Sequence, residues 1–154
     1  MRKSRRERGF SLVELLIVIT VIMILAAIAV PSVIKQIMSA HELAAVAEIQ
    51  SINKGQLQYY STYGRYATSL TELGPPASGA EGPAASGILP KVLTDGKKDG
   101  YIFIVQGTPA GYQVNANPET FGTSGRRTFY SDQTGAIHQK TTAEPATASS
   151  PEIR

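Results

Sequence analysis

Glu14 is the one charged residue in a stretch that otherwise belongs in hydrocarbon. Phe10 to Val30, FSLVELLIVITVIMILAAIAV, is 21 residues long, and its only other polar members are Ser11 and Thr20. As an α-helix it reaches about 32 Å, enough to cross an apolar layer of about 30 Å. A carboxylate inside such a helix costs about 2.5 to 3.5 kcal/mol on insertion scales, so it calls for a partner or for a position at the interface. Upstream lie Arg2, Lys3, Arg5, Arg6 and Arg8 with only Glu7 against them, a net +4 over nine residues. Basic residues before the span and none after it until Lys35 predict a cytoplasmic N-terminus and a single pass. A plain signal anchor has these features. So does a secretory signal peptide, for which Ala27-Ile28-Ala29 offers a small-x-small cleavage site before Val30. Neither explains Glu14.

The charge balance limits the function classes. The chain has 154 residues with 15 basic and 12 acidic side chains, net +3. Without the first nine residues, 10 basic and 11 acidic remain, net −1. The basicity therefore sits in a leader and gives no ground for direct nucleic-acid binding. With no Cys, the chain has no disulfide, thiolate metal site or Cys nucleophile. Phosphate-binding glycine motifs, HExxH and GxSxG are absent, and no nucleophile, base and orienter can be nominated together. His41 and His138 read as solvated or interfacial. Asp95, Asp99 and Asp132 read as turn residues, because their spacing is not that of a calcium loop. Arg126 and Arg127 read as a solvated guard of an edge strand. No cofactor, metal or catalysis is expected.

Arg8-Gly9-Phe10-Ser11-Leu12-Val13-Glu14, followed by fourteen apolar, small or hydroxylic residues from Leu15 to Ile28, resembles the type III signal of type IV pilins and of the pseudopilins of type II secretion. The resemblance implies cleavage between Gly9 and Phe10 by a membrane prepilin peptidase, which also N-methylates Phe10. Gly9 suits this, since without a side chain the backbone can enter a protease cleft in extended form. Cleavage would discard the leader and create an α-amine. In the family the glutamate at the position of Glu14 pairs with the N-terminal amine of a neighbouring subunit. Its own terminus, about one turn or 6 Å away, is a second possible partner. Either pairing makes a charge at low dielectric tolerable.

These residues must be positioned by a long helix. Beyond Val30, Val33, Ile34, Ile37, Met38, Leu43, Val46, Ile49, Ile52 and Leu57 recur at mostly helical spacing, while Lys35, Gln36, His41, Glu42, Glu48, Gln50, Lys54 and Gln56 fill the other face. Pro31 predicts a kink or a locally melted turn. The helix should end near Tyr63-Gly64, amid Tyr59, Tyr60, Tyr63 and Tyr66. YYSTYGRYATSLTELG, Tyr59 to Gly74, also resembles the segment after the long helix in pilins and major pseudopilins, with Ala67 where that family often has Pro. GPPASGAEGPAASG, Gly74 to Gly87, reads as a surface loop. Strands are expected at Tyr101 to Gln106, Tyr112 to Ala116, Thr128 to Ser131 and, as a possible fourth, Ala136 to Gln139.

The expected organisation is a cleaved leader (1–9), a transmembrane and assembly helix (10–30), its amphipathic continuation (31–64), a globular part (65–140) and a disordered tail (141–154), since TTAEPATASSPEIR has one aliphatic residue. The fold class is α+β, with the apolar half of the helix protruding and the amphipathic half packed against a small antiparallel sheet of three to four strands. The resemblance implies a structural subunit of a type IV pilus-like filament. The partners it implies are the prepilin peptidase/methyltransferase, identical and related pilin subunits, an inner-membrane assembly platform and, before assembly, membrane lipid. The protein would begin in the inner membrane and end in an extracellular pilus, or in a periplasmic pseudopilus if it is a pseudopilin of type II secretion. A secreted soluble binding domain cleaved near Ala29 is the alternative of another class.

Overall fold

The computed structural model describes residues 10–153. Helix α1 (Leu12–Tyr63) is followed by two short helices, α2 (Leu70–Leu73) and α3 (Lys91–Thr94). Five strands complete the chain: β1 (Lys97–Lys98), β2 (Tyr101–Thr108), β3 (Gly111–Pro118), β4 (Thr128–Asp132) and β5 (Ile137–Lys140). They form one antiparallel sheet in sequence order. The α+β class is as expected, with one strand more than the three or four anticipated. That strand is β1, whose two lysines carry no strand pattern. Asp99 and Gly100, at φ 49 and 74, make a two-residue loop that pairs Lys98 with Tyr101, and Asp-Gly is one of the few pairs that accept this conformation twice.

The chain divides into two compact units between Gln36 and Ile37. In the first, every described side chain is exposed, Phe10 at 84% and Ile19 still at 46%. The helix runs without interruption past Pro31, although proline has no N–H to give the Ala27 carbonyl.

The second unit holds the core. On α1, Met38, Glu42, Ala45, Ile49, Ile52, Gln56 and Tyr59 are buried at alternating steps of four and three, with Gly55 buried beside them. This corrects the face read from hydropathy. Leu43 and Leu57 are 68% and 59% exposed, whereas Glu42 and Gln56, assigned above to the polar face, are buried. Gln56 is tolerated because its amide completes a backbone: Nε2 donates to the Ala67 carbonyl at 2.9 Å and Oε1 accepts the Ala67 N–H at 2.8 Å. Across from the helix, Tyr101, Phe103 and Val105 of β2 face inward with Tyr112, Val114 and Ala116 of β3, and Phe103 pairs with Ala116 and Val105 with Val114. Each such large apolar side chain contributes about 1.5 to 3 kcal/mol on burial.

Segments that read as structureless are tied down. The loop from Gly74 to Gly87 is pinned where the Tyr59 hydroxyl donates to the Pro83 carbonyl at 2.5 Å and Ser86 donates twice to the Glu72 carbonyl. The tail, expected to be disordered, instead returns along β5. The Gln139 N–H donates to the Pro151 carbonyl and the Ile153 N–H to the Ile137 carbonyl, both at 2.8 Å, and Ala146 is buried. Composition argued only from side-chain burial, whereas this segment is held chiefly by its backbone.

Candidate functional site

The chemistry read from the sequence lies at the start of α1. Gly9 falls outside the described residues. Phe10 precedes the helix, and Glu14 occupies its first turn. The Glu14 carboxylate accepts the Ser11 N–H at 2.9 Å, while the Ser11 hydroxyl accepts the Val13 N–H at 3.3 Å. This is a capping box: helix-terminal donors that have no carbonyl partner are satisfied by side chains three residues apart. The Ser-x-x-Glu spacing is itself the signal of this cap, which an account of Glu14 as a charge in need of a partner or of the membrane interface does not use. The negative charge also lies at the positive end of the helix dipole, where it is favoured. The arrangement leaves a carboxylate beside the first residues of the helix, within an otherwise apolar and uncovered surface.

The remaining candidates are dispersed. His41 Nδ1 lies 3.0 Å from the Ser124 carbonyl and His138 Nδ1 lies 2.7 Å from that of Ser150. Asp95 pairs with Lys91 at 2.5 Å, Asp99 sits in the β1–β2 turn, and Asp132 accepts the Thr134 N–H. Among the described residues, no three His, Cys, Asp or Glu side chains gather as a metal site. Arg127 is not the solvated guard expected: its Nε donates to Glu42 Oε2 at 2.7 Å and its Nη1 to Gln139 at 2.9 Å, while the Arg126 N–H donates to Glu42 Oε1 at 2.8 Å. Burial and, after it, the Glu42 charge push the Tyr101 phenol above its ordinary pKa. This polar knot fixes the β3–β4 loop to α1. At the other end of the unit, burial would raise the Glu72 carboxyl, but hydrogen bonds from Arg65 and Thr68 outweigh it and hold the group below its ordinary range. The tyrosines close the helix end: Tyr59 and Tyr63 lie 4.6 Å apart, Tyr60 and Tyr66 4.7 Å, and Tyr66 reaches Tyr112 at 5.1 Å.

A helix long and apolar enough to cross a membrane, a carboxylate in its first turn and a small α+β unit define a class of proteins that combine a membrane-type N-terminal helix with a compact C-terminal unit. Residues 4–30 match the family described as the prokaryotic N-terminal methylation motif. The type IV major pilin protein PilA of Myxococcus xanthus (strain DK1622) is 39% identical over 77 residues, 48% of this chain and 35% of that protein. The type II secretion system core protein G of Escherichia coli (strain K12) is 28% identical over 123 residues, 79% of this chain and 80% of that protein. The chain thus spans about a third of the pilin's length, 35%, and most of the secretion protein's. No solved structure matches. In its N-terminal motif and over these matched stretches, the chain is similar to type IV pilins and pseudopilins.

Proposed function

We propose that the protein is a structural subunit, without catalysis of its own, of a type IV pilus-like filament. The leader is removed between Gly9 and Phe10 by a prepilin peptidase that methylates Phe10. The apolar helix then anchors the subunit in the inner membrane with its N-terminus cytoplasmic. An assembly platform adds it to a helical filament of identical and related subunits, in which neighbouring helices cover the surface that the single subunit leaves exposed. Glu14 exchanges its contact with the Ser11 N–H for an α-amine, making addition selective for processed subunits. Pro31, with one helical hydrogen bond missing beside it, is the point at which the helix bends or opens during assembly. The observation that carries this reading is the coincidence of the methylation motif at residues 4–30 with a helix that is acidic in its first turn and exposed on all sides as far as Gln36. A second reading, a periplasmic pseudopilus of type II secretion, is favoured by the match over 80% of core protein G.

N-terminal sequencing of membrane or filament protein tests the processing step. It should begin at methylated Phe10, and a start at Val30 would instead mark a secreted domain. Glu14→Ala should still be cut at Phe10 but yield few or no filaments. Normal filaments from that variant would remove the pairing role. Recovery in sheared surface filaments would support the pilus, and retention in the periplasm the pseudopilus.

A further inference from the structure

The two edges of the sheet are protected in different ways. At one edge, β1 is two residues long and both are lysine, so it offers little for another strand to pair with. At the other, β5 is twice that length, Ile137–Lys140, with Lys140 its only lysine. Antiparallel pairing with β4, Tyr130 against His138 and Ser131 against Ile137, leaves the backbone groups of alternate β5 residues pointing away from the sheet. Of these, the Ile137 carbonyl and the Gln139 N–H are taken by the chain's own C-terminal segment.

The contacts define the register. The Gln139 N–H donates to the Pro151 carbonyl and the Ile153 N–H to the Ile137 carbonyl, each at 2.8 Å, so His138 and Glu152 stand opposite each other as an antiparallel pair. The two bonds flank that pair without joining its members, which makes it a non-hydrogen-bonded position, where Cα atoms approach to about 4.5 Å. Further contacts hold the returning segment: the Asn115 side chain donates to the Ala146 carbonyl at 3.1 Å, the Thr128 hydroxyl to the Glu144 carbonyl at 2.9 Å, and His138 Nδ1 meets the Ser150 carbonyl at 2.7 Å. Ala146 is 1% exposed and Ile153 packs on the core.

We infer that the C-terminal segment is an edge strap: it occupies the free edge of β5 and keeps the sheet of one copy from pairing with the sheet of another. The purpose rests on the filament reading above, because subunits crowded in a membrane or filament meet at high effective concentration, and an open edge would divert them into sheet-to-sheet association. The strap itself is a property of the single chain, so it can be tested without filaments.

The chain has no native cysteine, so introduced thiols report cleanly. Full-length protein in detergent carrying His138→Cys and Glu152→Cys should form one intrachain disulfide on mild oxidation, because non-hydrogen-bonded antiparallel pairs lie within disulfide reach. Two persistently free thiols would overturn the strap. With His138→Cys alone the full chain should stay monomeric on oxidation. The same variant ended after Lys140 should give about tenfold or more disulfide-linked dimer, with β5 of two copies paired about residue 138. A thiol at Ala110→Cys, in the β2–β3 turn, serves as the collision control. An equal rise there, or no rise at position 138, would overturn the guarding role. Should the shortened chain fail to fold, Ala146→Asp beside His138→Cys expels the segment with every residue retained. Absence of dimers from that variant, with the segment's amides exchanging freely, counts equally against the proposal.

Discussion

Removing the Glu42 carboxylate would leave two donors without their acceptors: the Arg126 N–H, 2.8 Å from Oε1, and the Arg127 Nε, 2.7 Å from Oε2. The Glu42 side chain is 7% exposed and that of Arg127 36%, so the guanidinium regains part of its hydration. Discounted for that exposure, Glu42→Ala should lower stability by about 1 to 3 kcal/mol. Glu42→Gln, which keeps one neutral acceptor, should cost less. Urea unfolding followed by tyrosine fluorescence would measure both, and an Ala variant as stable as the parent would show that the pair contributes nothing. At this scale legibility depended on where the informative neighbours lie in the chain. Glu14 was legible because its apolar neighbours are adjacent in sequence. Glu42 was not, because the arginine that makes its burial tolerable comes 85 residues later, and the same residue type at helical spacing reads as solvated until that partner is known.

Within α1, Gly55 is the residue that sets how closely the chain after the long loop can approach. A Cβ built there would lie 3.2 Å from two atoms of Leu89 and 3.4 Å from Ile88, tighter than ordinary contact. Gly55→Ala gains about 1 kcal/mol of helix propensity and loses a comparable amount to crowding, so it should be close to neutral. Gly55→Leu has no such compensation and should destabilise by about 1 to 3 kcal/mol or more, read as a lowered urea midpoint. If the Leu variant matched the parent, the packing of Leu89 on the helix would not be limiting. The period of α1 was legible over its length, but its buried face was set one position away from the obvious leucines. The Ala67 backbone offers Gln56 a fitted partner and the β3–β4 loop offers one to Glu42, while Leu43 and Leu57 stay exposed. The strands with alternating apolar residues, β2 and β3, were read nearly to their ends. What composition missed, β1 and the returning tail, is held by backbone hydrogen bonds, which leave no hydropathy pattern.

The two units divide the work of the molecule. Every buried hydrophobic residue, from Met38 to Ala146, belongs to the second unit, and every described side chain of the first is exposed. Among the described residues, none before Ile37 is buried. A protein with this division should come apart at Gln36-Ile37 without loss of the fold. A chain beginning at Ile37 should be recovered from aqueous buffer without detergent, as a monomer. Amide-exchange protection at Ile49, Val105 and Val114 should stay within about 0.5 kcal/mol of the full chain, because no buried contact is removed and only the first turn of the shortened helix frays. The same chain should enter no filament even when supplied with processed full-length subunits, since it has neither the apolar helix nor Glu14. Protection lowered by more than about 2 kcal/mol would mean that the first unit supports the second. Incorporation into filaments would mean that assembly runs through the globular surface, and the role proposed for the N-terminal helix would have to be abandoned.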